Sequence, residues 1–256
     1  MPQLKCLSLF EELVAFDTTS RNSNMALIDF VRGYLTDLGV ESTLDPNEDG
    51  TKANLYATLG PSDRSGIMLS GHTDVVPVDG QAWDTDPWTL TPKDGNYFGR
   101  GTCDMKGFIA ICLAFAPEFL SRGLNTPLHL AFSYDEEVGC VGVQTLIEKM
   151  QRMPIKPAMC IVGEPTSMDV SLGHKGKRSY DATFRGFEAH SSLAPQGVNA
   201  IAYAAELISY MTSMADRFAT EGPFDDAYDV THTTVHTGVI EGGTALNIVP
   251  KECLVR

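Results

Sequence analysis

Residues 66–74, Gly-Ile-Met-Leu-Ser-Gly-His-Thr-Asp, decide how the first part of the chain reads. Gly66–Ser70 is short, mostly apolar and bounded by turn formers, as a buried strand is, and it runs straight into the polar cluster Gly71-His72-Thr73-Asp74. The construction recurs twice. Leu128–Tyr134 runs into Asp135-Glu136-Glu137, and Ala158–Val162 runs into Gly163-Glu164-Pro165-Thr166. Asn54–Leu59 is a further strand. Leu4–Phe16 and Met25–Leu38 repeat apolar residues at three and four and read as helices, the second stopped by Gly39. Gly107–Leu120 and Val141–Gln151 also read as helices. Strands and helices in alternation predict an α/β domain: a mixed, mostly parallel sheet with helices on both faces.

The pattern changes near Ser171. Arg178–Phe184 alternates as a strand with one wet face, and Asn199–Met214 is a long amphipathic helix. Thr233–Ile240 and Ala245–Val255 read as two more strands, joined through Gly242 and Gly243. Strand, helix, strand, strand predicts a small, partial α+β domain, with the boundary at about Leu172 (residues 1–172 and 173–256). Arg256 falls inside a strand-like run, so the reading expects a C-terminally truncated chain.

Bulk composition narrows the functional classes. The 256 residues are 43% hydrophobic and 20% charged, which suffices for a large core and argues against wholesale disorder. A net charge of −14 disfavours nucleic acid and anionic membranes as partners. No segment approaches the roughly 20 apolar residues of a membrane span. The first helical stretch carries Glu11 and Glu12 and lacks the apolar run of a secretory leader. None of the six cysteines stands at C-x-x-C spacing, so free thiols in a reducing cytoplasm are expected.

In open α/β sheets ligands bind beyond the carboxyl ends of strands, where all three polar clusters lie. A fourth cluster, Gly99-Arg100-Gly101-Thr102-Cys103-Asp104-Met105-Lys106-Gly107, feeds the start of the apolar helix. One imidazole and several carboxylates without thiolate suit zinc, cobalt or manganese. His72-x-Asp74 has the spacing of a ligand histidine and its orienting carboxylate. Adjacent Glu136 and Glu137 in an apolar crevice need cations to neutralise them. Each cluster also has an ordinary reading. His72 fits a satisfied histidine, Glu136-Glu137 a solvated loop, Asp104 a helix cap, and Glu164-Pro165 a turn.

Taken together and in order, Ser70-Gly71-His72-Thr73-Asp74-Val75-Val76-Pro77, Gly99-Arg100-Gly101-Thr102-x-Asp104-Met105-Lys106-Gly107, Asp135-Glu136-Glu137-x-Gly139 and Gly163-Glu164-Pro165-Thr166 resemble the successive motifs of the M20 metallopeptidase family. The resemblance implies a zinc-exopeptidase-like fold and two zinc ions per complete site, with cobalt a possible substitute. It implies His72 and Glu164 as ligands of one metal, Asp104 as the bridge, and Glu137 on the second. Glu136 becomes the general base and Asp74 the partner that orients His72. Arg185-Gly186-Phe187-Glu188-Ala189-His190-Ser191 resembles the family's lid and dimerisation domain, whose histidine reaches across a dimer to the tetrahedral intermediate. Gly242-Gly243-Thr244-Ala245-Leu246-Asn247-Ile248-Val249-Pro250 resembles the segment whose Asn holds the substrate carboxylate. Without the family, His190 reads as a surface histidine and Asn247 as part of a glycine hairpin.

Asp79-Gly80-Gln81-x-Trp83 with Asp86-Pro87-Trp88, Val162-Gly163-Glu164-Pro165-Thr166 and His174-Lys175-Gly176 look closest to the branch that deacetylates N-acetylornithine in cytosolic arginine biosynthesis. His174 and Lys175 fit equally well a basic turn between domains. The expected partner is thus a small-molecule N-acyl amino acid, and the expected assembly a homodimer when full length. Desuccinylases and carboxypeptidases of the family stay open as alternatives. So does a non-catalytic metal-binding or oligomerisation module, although Glu136 standing with every local ligand speaks against it. The resemblance also places the histidine that completes the second metal beyond residue 256.

Overall fold

The computed structural model describes residues 2–256. Two compact units divide at Ser171 and Leu172. The first contains, in chain order, α1 (Pro2–Ala15), α2 (Met25–Asp37), β1 (Ser42–Pro46), β2 (Ala53–Leu59), β3 (Ile67–His72), the hairpin β4 (Thr91–Lys93) and β5 (Asn96–Phe98), α3 (Gly107–Arg122), β6 (Leu128–Ser133), α4 (Val143–Gln151) and β7 (Met159–Val162). The five long strands form one mixed sheet in the order β1-β2-β6-β3-β7. β3 runs parallel to both β6 and β7, whereas β2 is antiparallel to β1 and to β6. That register matters for function. His72 pairs with Ser133 and Ser70 with Val162, so the carboxyl ends of β3, β6 and β7 lie at one edge.

Side-chain alternation explains the layering. Ala53, Leu55, Ala57 and Leu59 of β2, with Leu130 and Phe132 of β6, point into a core shared with α1, α2 and α3. α2 contributes Leu27, Ile28, Val31 and Leu35, one helical stripe, and ends where Gly39 takes φ +74°. The opposite face of the sheet is more polar. There Asn54 donates to Asp45 Oδ2 at 3.1 Å and to the Gly142 carbonyl at 2.8 Å, and Thr145 donates to Asp45 at 2.6 Å, which brings α4 onto that face. Gly163, just past β7, lies where any Cβ would stand 2.2 Å from the Phe108 ring, so its bareness lets α3 press against the strand end.

The second unit holds β8 (Ala182–Arg185), α5 (Ala200–Glu221), β9 (Ile240–Gly242) and β10 (Glu252–Val255). Its sheet is antiparallel in the order β8-β10-β9. α5 starts at Asn199, whose side chain accepts from the amides of Ile201 and Ala202, and it seats Ala200 and Ala204 against Cys253 and Val255. The strands are shorter than the sequence predicts. Arg178–Phe184 contracts to Ala182–Arg185, Thr233–Ile240 to Ile240–Gly242, and Ala245–Val255 to Glu252–Val255. Only the segments that find ladder partners are extended, and Pro250 has no N–H to give one. No helix among the described residues is long and apolar enough to cross a membrane.

Candidate metal centre

His72 ends β3 almost wholly buried, 2% exposed. Its Nδ1 donates to the backbone carbonyl of Asp74 at 2.8 Å, which leaves Nε2 as the nitrogen free to bind a metal. The Asp74 carboxylate lies farther from Nδ1, at 3.5 Å, because it is engaged elsewhere. Its Oδ1 accepts from the Glu136 amide at 3.1 Å, and its Oδ2 from the Glu137 amide at 3.3 Å and from Ser20 Oγ at 2.7 Å. Asp74 therefore ties the end of β3 to the turn after β6.

Nε2 of His72 faces a ring of carboxylates. Asp104 Oδ1 is 2.8 Å away, Glu164 Oε1 3.7 Å and Glu136 Oε2 4.0 Å. Asp104 is carried by the loop before α3, where Gly101 takes φ +79° with Val75 close behind it. Lys106 pins that loop. It is fully buried, donates from Nζ to the Phe16 carbonyl at 2.6 Å, and lies over the Trp88 ring. Ligand atoms of His72, Asp104 and Glu137 lie within 4.8 Å of one another, as do those of His72, Glu136 and Glu164. A cavity of about 280 Å³ opens beside Asp104 and Glu137, walled by Val76, Arg100, Thr102 and Cys103.

The electrostatics follow from that crowding. Burial pushes the His72 pKa down, but Asp74, Asp104 and Glu164 outweigh it and raise it to about 10. Glu164 and Glu137 are pushed up, first by burial and then by neighbouring carboxylates such as Asp104 and Glu136. Asp74 moves the other way. Its burial is outweighed by His72, Ser20 and the Glu136 amide. Burial alone pushes Lys106 down to about 7, against the pull of Asp17. One imidazole and four carboxylates, several of them ill at ease as bare anions, make a donor set that fits a divalent cation. The residues fit.

The sequence matches the model for Peptidase family M20/M25/M40 over residues 68–245. The chain belongs to this family. This M20 chain is 35% identical over 254 residues to an acetylornithine deacetylase of Pasteurella multocida, covering 96% of this chain and 65% of the relative. An acetylornithine deacetylase of Proteus mirabilis is also 35% identical, with 96% and 64% covered. The chain thus spans about 65% of the length of these curated relatives. Among solved structures it resembles an M20 family metallo-carboxypeptidase from Sulfolobus solfataricus, with a TM-score of 0.71, 19% identity, and 98% and 70% of the two chains covered. Human carnosine dipeptidase 1 follows the same fold, with a TM-score of 0.65, 18% identity, and 99% and 69% covered.

The M20 motifs of the first unit converge. His72, Asp74, Asp104, Glu136, Glu137 and Glu164 share one edge of the sheet. His190 and Asn247 belong to the second unit, where they are neighbours. His190 bridges to Ile248, and the Ser191 amide donates to the Asn247 carbonyl at 2.8 Å. Both side chains are exposed, next to a cavity of about 650 Å³ lined by Ser191, Leu246 and Ile248. Lys175 lies on the surface of that unit, donating to the His232 carbonyl at 2.8 Å over the Tyr228 ring. Three contacts of the candidate centre carry no signal in the sequence. Ser20 donates to Asp74, Cys140 Sγ lies 3.3 Å from Glu136 Oε1, and Lys52 pairs with Asp135 at 2.6 Å.

Proposed function

We propose that the working protein is a zinc-dependent amide hydrolase that removes the acetyl group from N-acetyl-L-ornithine, giving L-ornithine and acetate. The observation that carries the reaction type is the convergence of His72, Asp104, Glu136, Glu137 and Glu164 on one strand edge. Similarity to the Pasteurella multocida and Proteus mirabilis proteins supports the choice of substrate. In this reading the first unit is the metal-binding catalytic part and the second the lid and dimerisation part of a cytoplasmic homodimer.

His72, Asp104, Glu137 and Glu164 would hold the divalent cations, which would supply Lewis-acid polarisation of the amide carbonyl and lower a water's pKa from 15.7 to about 7. The chain's own groups handle the protons. Glu136 takes a proton from the attacking water as the carbon–oxygen bond forms. It returns that proton to the amine nitrogen as the carbon–nitrogen bond breaks, so base and acid are one carboxylate. Asp74 keeps Glu136 in place through the Glu136 amide. His190 gives a hydrogen bond to the oxyanion, and Asn247 holds the substrate carboxylate.

The test is hydrolysis of N-acetylornithine against N-succinyl-diaminopimelate at matched concentration with added zinc or cobalt. Faster turnover of the acetyl substrate is expected. Faster turnover of the succinyl substrate transfers the assignment to desuccinylation, and turnover of neither removes the hydrolase reading.

A further inference from the structure

We infer that Lys52 is a positioning residue that sets the Glu136–Glu137 turn through Asp135 and Ser20. Its consequence for metal binding and catalysis rests on the function proposed above.

Lys52 stands just before β2, far in sequence from every ligand. Its Nζ donates to Asp135 Oδ1 at 2.6 Å and also to the Ser20 carbonyl. The pair is largely withdrawn from water, the two side chains being 14% and 15% exposed. Asp135 takes φ +54°, a left-handed backbone that residues with a Cβ adopt sparingly, Asp and Asn more readily than most. Directly after that reversal the amides of Glu136 and Glu137 both aim at the Asp74 carboxylate. The turn then closes on itself, with Gly139 and Cys140 donating to the Glu136 carbonyl and Val141 to the Asp135 carbonyl.

Ser20 completes the circuit. Its carbonyl accepts from Lys52 and its hydroxyl donates to Asp74 Oδ2 at 2.7 Å. A ring of contacts thus runs from Lys52 through Asp135, the two glutamate amides, Asp74 and Ser20 back to Lys52. Removing the ammonium leaves a half-buried Asp135 without its cation. The turn then relaxes, and with it the directions of the Glu136 and Glu137 side chains.

The direction of the effect separates positioning from simple charge. Deleting a positive charge near a cation seat should tighten metal binding if only the field matters. Loss of positioning weakens it. The experiment uses the 256-residue chain, with Lys52→Met, Lys52→Arg and Asp135→Asn. The last removes the ion pair but keeps a side chain that tolerates a left-handed backbone. Amide hydrogen exchange over residues 134–141 is read beside zinc affinity from competition with a chromophoric chelator. Lys52→Met and Asp135→Asn are expected to speed exchange at Glu136 and Glu137 roughly tenfold or more, while β2 and β6 stay protected. Zinc affinity falls in step, and Lys52→Arg restores both. Unchanged exchange, or tighter zinc binding in Lys52→Met, overturns the inference. If the unmodified chain retains no zinc but the exchange pattern holds, the positioning role stands and the proposed function falls.

Discussion

Ser192 gives both its amide and its hydroxyl to Nδ1 of His190, at 3.2 Å and 2.8 Å. An amide can only donate, so Nδ1 is the acceptor nitrogen and Nε2 carries the proton of the neutral ring. The side chain is therefore preset as a hydrogen-bond donor. Under the proposed reaction, His190→Ala loses about 2.7–4 kcal/mol of transition-state stabilisation with metal content unchanged. Ser192→Ala gives a smaller loss in kcat, because the ring keeps the amide's hydrogen bond and loses only the hydroxyl's. Single-turnover kinetics with parallel elemental analysis reads both, and an unaltered kcat in His190→Ala returns it to a surface histidine.

Glu136 and His72 should fail in different ways. Glu136→Gln removes the proton carrier but no metal ligand in the proposed scheme, so kcat drops roughly 10²–10⁴-fold while the metal stays. His72→Ala removes the only imidazole of the cluster, and metal and activity go together. Near-normal turnover in Glu136→Gln would place the base elsewhere.

Both candidate ligand groups draw on the same His72. A seat of carboxylates alone holds zinc poorly, so the 256-residue chain is expected to keep one tightly bound cation through dialysis. With the His72 pKa near 10, that uptake expels a proton at about pH 8. Calorimetry in two buffers of different ionisation enthalpy measures the release. Retention of two tight ions, or uptake with no proton released, contradicts the assignment.

Metal-free stability should respond to pH through two opposed groups. The folded pKa of His72 is raised to about 10, so its contribution is full below about 6.5 and fades as pH rises through 10. Lys106 is lowered to about 7, so its penalty is full below 7 and is relieved as pH climbs toward about 10.5. The two slopes offset each other over the same window. Urea midpoints of the wild-type chain should therefore change little between about pH 7 and 10. In Lys106→Met they should fall steadily as pH rises, because only the His72 slope remains. A flat profile in that variant would show that His72 does not hold its proton.

The first unit was readable because its signals are local. Short apolar runs ending in His, Glu and Asp mark strand ends, and β3 carries on through Gly71 to His72 itself. The edge strand β1 escaped notice because Ser42, Thr43, Asp45 and Pro46 offer no apolar alternation, and pairing with β2 supplies what composition does not. The β4–β5 hairpin has its cue in Asp94-Gly95, a two-residue turn with positive φ at both positions. The second unit shows the converse: the Thr-rich stretch before Ile240 has strand composition without ladder partners. Lys52 was illegible in principle. Its partners Ser20 and Asp135 stand 32 and 83 positions away, and no periodicity links them.

The strand order has a consequence in time. β3 lies between β6 and β7, both made after it, so His72 leaves the ribosome before α3, β6, α4 and finally Glu164. Before β6 docks beside β3, a growing chain holds His72 and Asp104 without the glutamates that complete either ligand group, and the group with Glu164 waits on β7. Pairing across such separations is among the slower events in folding. Under the proposed function the two ligand groups would assemble one after the other, and ion uptake would report how far the sheet has closed.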